Sequence, residues 1–222
     1  MTRKIYNPVL ALLFFMLIGG NLAVAQNSLF FVYLSSNPDR EELPEGDVSA
    51  LQEGHLENID RLYKAGDLLL AGPFDGGGGV FVLTAVSPEG AKDLLASDPA
   101  ISADRFIVDI LPIEVDKGWI CEQVKPYEMI SLNFIRITPG DSEPIPHVEY
   151  NRYLENEDVL YAVSMNVDTP GAEYVVILEA SADADAFARK HPLVKDGNYT
   201  YGVKKWWTTD QTFCSDMNKK LH

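Results

Sequence analysis

Four histidines occur in the 222 residues, at positions 55, 147, 191 and 222. Two of them stand a nearly fixed distance before a residue that precedes proline. His55 is followed 43 residues later by Asp98-Pro99, and His147 is followed 44 residues later by His191-Pro192. An imidazole takes a proton near neutral pH, and a carboxylate on its other nitrogen fixes the tautomer and stabilises the imidazolium. His55 and Asp98 therefore have the side chains of a general acid–base pair. The competing reading is structural: His55 shares a helical face with Leu51, Ile59 and Leu62, where a packed histidine is ordinary, and Asp98 caps a turn before Pro99. His147 and His191 supply two imidazoles with no cysteine or third acid beside them. That is too few ligands for a transition-metal site, so no metal is expected. Packing or hydrogen-bonding roles are expected for this second pair.

The run Gly76-Gly77-Gly78-Gly79 precedes a strand pattern rather than a helix N-terminus, so it reads as a hairpin and not as a phosphate cradle. No Gly-x-Ser-x-Gly, Walker, Rossmann or zinc-protease pattern is present, and no cofactor is expected. Trp206 and Trp207 lie in an aromatic strand with Tyr199 and Tyr201, and strand alternation sends the two indoles to opposite faces. One is expected in a core, the other lining a pocket or covering a helix. Asn198-Tyr199-Thr200 fits a glycosylation sequon, which matters only in a host that glycosylates.

The elements that must position these residues come in two similar sets. His55-x-Glu57 matches His147-x-Glu149, Leu62 and Leu154 each follow their histidine by seven residues, and Cys121 and Cys214 each lie 23 residues after Asp98 and His191. One residue of drift over such a length is the mark of duplication. In the first copy Leu29 to Leu34 reads as a buried strand, followed by a helix carrying His55 that ends at Gly66. Strands follow at Leu68 to Ala71 and Val80 to Val86. Ser87-Pro88-Glu89 then opens a helix through Leu95, and Arg105 to Val115 closes the unit. The second copy gives Ile130 to Ile137, a helix from His147 to Glu155, Val159 to Met165, Glu173 to Glu179, a helix from Asp183 to Lys190, and Tyr199 to Thr208. Ser35 to Gly46 is an insertion in the first copy, and Asp116 to Glu128 links the two. The order β-α-β-β-α-β is that of an α+β, ferredoxin-like unit with both helices on one sheet face. Two copies cover the other face by packing sheet to sheet as an internal pseudo-dimer.

His55, the stretch Lys64-Ala65-Gly66-Asp67-Leu68-Leu69-Leu70-Ala71-Gly72-Pro73, the glycine hairpin, Ser87-Pro88-Glu89 and Asp98-Pro99 together resemble the YCII-related domain family. The family resembles the dimeric α+β barrel superfamily. The resemblance covers about 90 residues of the first copy. It implies that His55 and Asp98 meet in a cleft as an acid–base pair acting on a small molecule, in a family where most reactions are unassigned. The second copy has Ala162-Val163-Ser164 in place of Ala71-Gly72-Pro73 and His191 in place of the acid, and so departs from the pattern. Tyr63 and Arg105 are candidate neighbours of the cleft. The leading expectation is a cofactor-independent small-molecule enzyme. The alternatives are a binding or interaction module whose site decayed after duplication, or a structural accessory subunit.

Residues 1–25 have the parts of a secretory leader: Arg3 and Lys4, an apolar run from Val9 to Ile18, and Ala23-Val24-Ala25. That run is shorter than the roughly 20 residues a bilayer span needs. Cleavage before Gln26 and a periplasmic or secreted destination are therefore expected, with domains at 26–118 and 119–222. Without the leader, 16 basic residues face 33 acidic ones, a net charge of −17. Such a surface repels phosphate backbones and anionic lipid, so neither nucleic acid nor membrane is an expected partner. A small molecule is. The chain is expected as a monomer with an internal pseudo-dimer, or as a higher oligomer. Cys121 and Cys214, the only two cysteines, sit at equivalent positions; an oxidising compartment permits a disulfide between them, while the rival reading buries each alone.

Overall fold

The computed structural model describes residues 27–140, 147–155, 157–166, 171–214 and 221; the leader segment 1–25 lies outside them. The elements are β1 (Ser28–Ser36), α1 (Glu45–Ala65), β2 (Leu68–Pro73), β3 (Gly79–Ala85), α2 (Pro88–Leu95), α3 (Pro99–Ser102) and β4 (Phe106–Lys117). They continue with β5 (Met129–Pro139), α4 (His147–Glu155), β6 (Tyr161–Met165), β7 (Glu173–Leu178), α5 (Ala184–Lys190), α6 (Pro192–Lys195) and β8 (Tyr199–Thr209). This is an α+β chain with one eight-stranded antiparallel sheet, ordered β2-β3-β1-β4-β6-β7-β5-β8.

Local chemistry accounts for the boundaries. Gly66 ends α1 at φ 79°, a left-handed position that glycine takes without strain, and the N–H groups of Gly66 and Asp67 close the last turn on Tyr63 and Leu62. Ser87 caps α2 by accepting from the Gly90 N–H, and Pro88 supplies a first-turn residue that needs no amide partner. Strand β1 is apolar on both faces because both are covered. Phe30, Val32 and Leu34 join Leu62, Phe81 and Leu95 beneath α1 and α2. Phe31 and Tyr33 join Leu70, Phe74, Phe134, Val163 and Trp206 in a central core built from strands of both halves. A third core places Tyr150, Leu154 and Leu193 of α4 and α6 against β5, β6 and β7.

The two ends of the strand order meet. Phe74 bridges to Trp206, and the Asp75 N–H donates to Lys205 O over 3.0 Å. Gly72 permits this approach, since a Cβ there would lie 2.2 Å from Trp207 O and 2.4 Å from Trp206 Nε1. Trp206 and Trp207 do face opposite ways. Trp206 is in the central core, whereas half-exposed Trp207 donates from Nε1 to Asp75 Oδ1 (2.6 Å) and is not among the residues lining the cleft described below. Cys121 and Cys214 are joined in a disulfide with Cα atoms 6.0 Å apart, beside a bridge between Ile120 and Phe213.

Three expectations need correction. The four-residue helices α3 and α6 were not expected, because a single turn carries no hydrophobic period; each forms behind an N-cap residue with proline at its first position. Asp116 and Lys117 are strand rather than linker, because β4 continues to pair with β6 through Lys117. The insertion is shorter than Ser35 to Gly46, since β1 runs to Ser36 and α1 starts at Glu45. Among the described residues, no helix is long and apolar enough to cross a membrane.

Candidate functional site

His55 projects from the buried face of α1, one turn before Asn58 and two before Leu62. Gly54 precedes it, and a Cβ at that position would lie 2.6 Å from Pro99 Cγ. The missing side chain therefore lets α1 settle on the first turn of α3. Asp98 is the N-cap of α3, and its Oδ1 accepts from the N–H groups of Ala100 (2.9 Å) and Ile101 (3.1 Å). Its other oxygen, Oδ2, lies 2.7 Å from His55 Nδ1. Cap and histidine partner are thus the same carboxyl group, one role on each oxygen.

Asp98 is fully buried. Burial alone would raise its pKa, but the hydrogen bond and charge of His55, with the two α3 amides, hold it below the usual carboxylate value. An ionised carboxylate only accepts, so the proton of the shared bond sits on His55 Nδ1. In the neutral imidazole Nε2 is then the acceptor, and no side chain or backbone group among the described residues hydrogen-bonds to it. The ring is held by Phe81 and Phe106, at centroid distances of 5.9 and 5.7 Å.

His55 lines a cleft of about 650 Å³ between α1, β2 and the chain leading into β5. Leu34, Ile59, Leu70 and Phe81 form an apolar floor, while Gln123 and Lys125 bring polar groups to the far wall. That wall is pinned by the Cys121–Cys214 disulfide, by the Gln123 N–H on the Tyr63 hydroxyl (3.4 Å) and by the Val124 N–H on Gln211 Oε1 (2.9 Å). Tyr63 is therefore a cleft neighbour, as expected. Arg105 is not: its guanidinium donates to Glu41 O at 2.5 Å, away from the cleft.

Sequence reasoning missed the groups behind Asp98. Asn58 Nδ2 donates to Asp98 Oδ2 over 3.3 Å, while Asn58 Oδ1 accepts from Arg61 Nη2 (2.8 Å) and from Ser97 Oγ (2.9 Å). Their helical spacing from His55 was the available signal, since residues three apart share a face.

The second half is built differently. His191 precedes α6 as Asp98 precedes α3, yet its side chain makes no cap bond. It is fully buried, packs against the rings of Tyr150 (5.3 Å) and Tyr153 (4.9 Å), and neither ring nitrogen has a hydrogen-bond partner among the described residues. Burial pushes its pKa down to about 4, which leaves it neutral at pH 7. His147 opens α4; its side chain, and so any pairing with His191, lies outside what is described. Nearby, Asp116 of β4 accepts from Ser164 Oγ at 3.2 Å. Burial, aided by the charge of Glu114 and opposed by that bond, raises Asp116 to about 7. Among the described residues no group of three or more His, Cys, Asp or Glu is arranged to hold a metal ion.

No family model matches the chain, and no curated protein matches it. Among solved structures it is similar to a candidate monooxygenase from Fusobacterium nucleatum subsp. nucleatum, at a TM-score of 0.46 and 9% identity over 86% of this chain and 99% of the other. A likeness at that level bears on neither activity nor ligand.

Proposed function

We propose that the protein is an exported small-molecule enzyme in which His55 and Asp98 form the acid–base pair of an apolar cleft. The observation that carries this is the 2.7 Å bond from His55 Nδ1 to Asp98 Oδ2 in a ring that also lines open space. A buried carboxylate behind an imidazole that lines a cleft has the arrangement of a general base and its orienting acid. The reaction class is proton transfer on an organic substrate of modest size. No cofactor is invoked.

In the same proposal the chain is a YCII-like tandem, with domains at 26–118 and 119–222 behind a cleaved leader, folded as an internal pseudo-dimer of the dimeric α+β barrel kind. Its support is the strand and helix order of β1 to β4, which recurs from β5 to β8, and the reciprocal edges: β4 pairs with β6, and β8 meets the end of β2.

A second reading, a binding or interaction module without turnover, draws on the second half, where His191 sits sealed among aromatic rings. Substitution separates the two. Incubated with a mixed metabolite extract and followed by mass spectrometry, the wild type is expected to convert at least one compound. His55→Ala and Asp98→Asn are each expected to slow that conversion at least tenfold, about 1.4 kcal/mol of barrier. His191→Ala should stay near wild type. Retention of a compound without conversion, equally by wild type and His55→Ala, would establish the module instead.

A further inference from the structure

The Asp98 carboxylate is fully buried and receives four donors: His55 Nδ1 and Asn58 Nδ2 on Oδ2, and the Ala100 and Ile101 amides on Oδ1. Three of these point in fixed directions because they belong to backbone or to an imidazole clamped by two phenyl rings. The fourth depends on which way an amide is turned. An asparagine side chain placed the other way would aim a carbonyl oxygen at a carboxylate, which is repulsive.

Arg61 settles the orientation. A guanidinium has five donors and no acceptor, so the Asn58 atom 2.8 Å from Arg61 Nη2 is the oxygen. Ser97 Oγ accepts from the same Arg61 nitrogen (2.7 Å) and passes its own hydrogen to Asn58 Oδ1 (2.9 Å). With both partners on Oδ1, Nδ2 has only Asp98 to face. A chain of directed bonds thus runs from exposed Arg61, through buried Asn58, to Asp98 and His55.

The second half supplies an internal comparison. Three and six residues after His55 stand Asn58 and Arg61, and three and six after His147 stand Tyr150 and Tyr153. In the first half those positions serve a carboxylate; in the second both tyrosine rings pack on His191, which takes the place of that carboxylate. Where the acid is gone, both polar supports are gone with it.

From this we infer that Asn58, turned by Arg61 and Ser97, is the positioning residue that holds the Asp98 carboxylate on His55 Nδ1 and keeps Nε2 as the proton acceptor of a ring that lines the cleft. It touches no cleft-bound molecule in this scheme and acts only through Asp98. The inference rests on the proposed function in taking His55 as the working group, but its test needs no substrate.

The test reads the imidazole nitrogens of His55 and the carboxyl carbon of Asp98 by NMR in isotope-labelled full-length protein. Wild-type neutral His55 is expected as the Nδ1–H tautomer. Asn58→Leu should bring in the Nε2–H tautomer and shift the Asp98 titration upward, because the carboxylate loses a donor while staying buried. Arg61→Met, a change on the exposed surface, should move both signals the same way by less. The double variant should add little to Asn58→Leu, since Arg61 reaches Asp98 through Asn58 and otherwise only through its bond to Ser97. Wild-type signals in a folded Asn58→Leu protein, or a full additional effect of Arg61→Met on top of it, would overturn the inference. Should Asn58→Leu fail to fold, unchanged His55 and Asp98 signals in Arg61→Met would overturn it as well. A protein with these signals and no turnover would count against the enzyme reading alone.

Discussion

Gly54 and Pro99 are in contact across the α1–α3 junction, so closely that a Cβ on Gly54 would stand 2.6 Å from the proline ring. The neighbours of this pair in sequence, His55 and Asp98, are the two residues that bond. Close approach of the backbones is what brings the imidazole within 2.7 Å of the carboxylate. Alanine at position 54 gains about 0.5–1 kcal/mol of helix propensity. Overpacking against a rigid ring costs about 1–3 kcal/mol. Gly54→Ala is therefore expected to lower stability on balance in urea unfolding, and to weaken the His55–Asp98 bond. The added change Pro99→Ala should recover part of the loss; a Gly54→Ala protein more stable than wild type would show that the junction is not tight.

The disulfide gives a second expectation. Cys121 and Cys214 close a loop with a sequence separation of 93, and the segment that follows Cys121 forms a wall of the cleft. Removing such a cross-link typically costs about 2–5 kcal/mol. The unreduced, denatured protein should show no thiol to a labelling reagent. Cys121→Ala with Cys214→Ala should unfold at lower denaturant. Two reactive thiols in the unreduced protein would refute the bond.

Asp116 gives a dependence on pH. Its folded pKa is raised from 3.8 to about 7, chiefly by burial. The protonated carboxyl is therefore the form the fold favours. Its contribution is fully present below about 3.8 and is lost as pH rises through that window to about 7, at up to ~1.4 kcal/mol per pH unit. Asp98 runs the other way, since its lowered pKa contributes stability that is lost in acid. The difference in stability between wild type and Asp116→Asn isolates the first effect. It should shift in favour of the variant between pH 4 and pH 7. A difference that does not change with pH would mean that Asp116 titrates as a solvated acid.

Period and punctuation made much of this architecture legible. The strand and helix order, the Gly66 and Ser87 caps and the split between Trp206 and Trp207 follow from local patterns, whereas the bond between Cys121 and Cys214 was suggested only by their equal spacing after Asp98 and His191. His55 and Asp98 were legible as a pair through the resemblance of the helix histidine and the Asp-Pro step to a family pattern, while their spacing alone left a packed histidine and a turn cap as the competing reading. What a sequence conceals is the state of a space: the cleft beside His55 depends on side chains from α1, β2 and the chain before β5 at once. Asn58 and Arg61 were hidden for a related reason. Polar residues on a helix read as a solvated face, yet Asn58 is buried, with Asp98, Ser97 and Arg61 as its partners. Of the two candidate neighbours, Tyr63 lines the cleft, while the Arg105 guanidinium is bonded to Glu41 O instead.

The most direct test of the central claim is incorporation of solvent deuterium. A base that takes a proton from carbon and returns one from solvent leaves a mass change in its substrate even when no net product accumulates. Purified protein in deuterium oxide, incubated with a metabolite extract, should label at least one compound. His55→Ala and Asp98→Asn should each label it at least tenfold more slowly, and His191→Ala at nearly the wild-type rate. Labelling by His55→Ala at the wild-type rate would contradict the assignment of the acid–base pair.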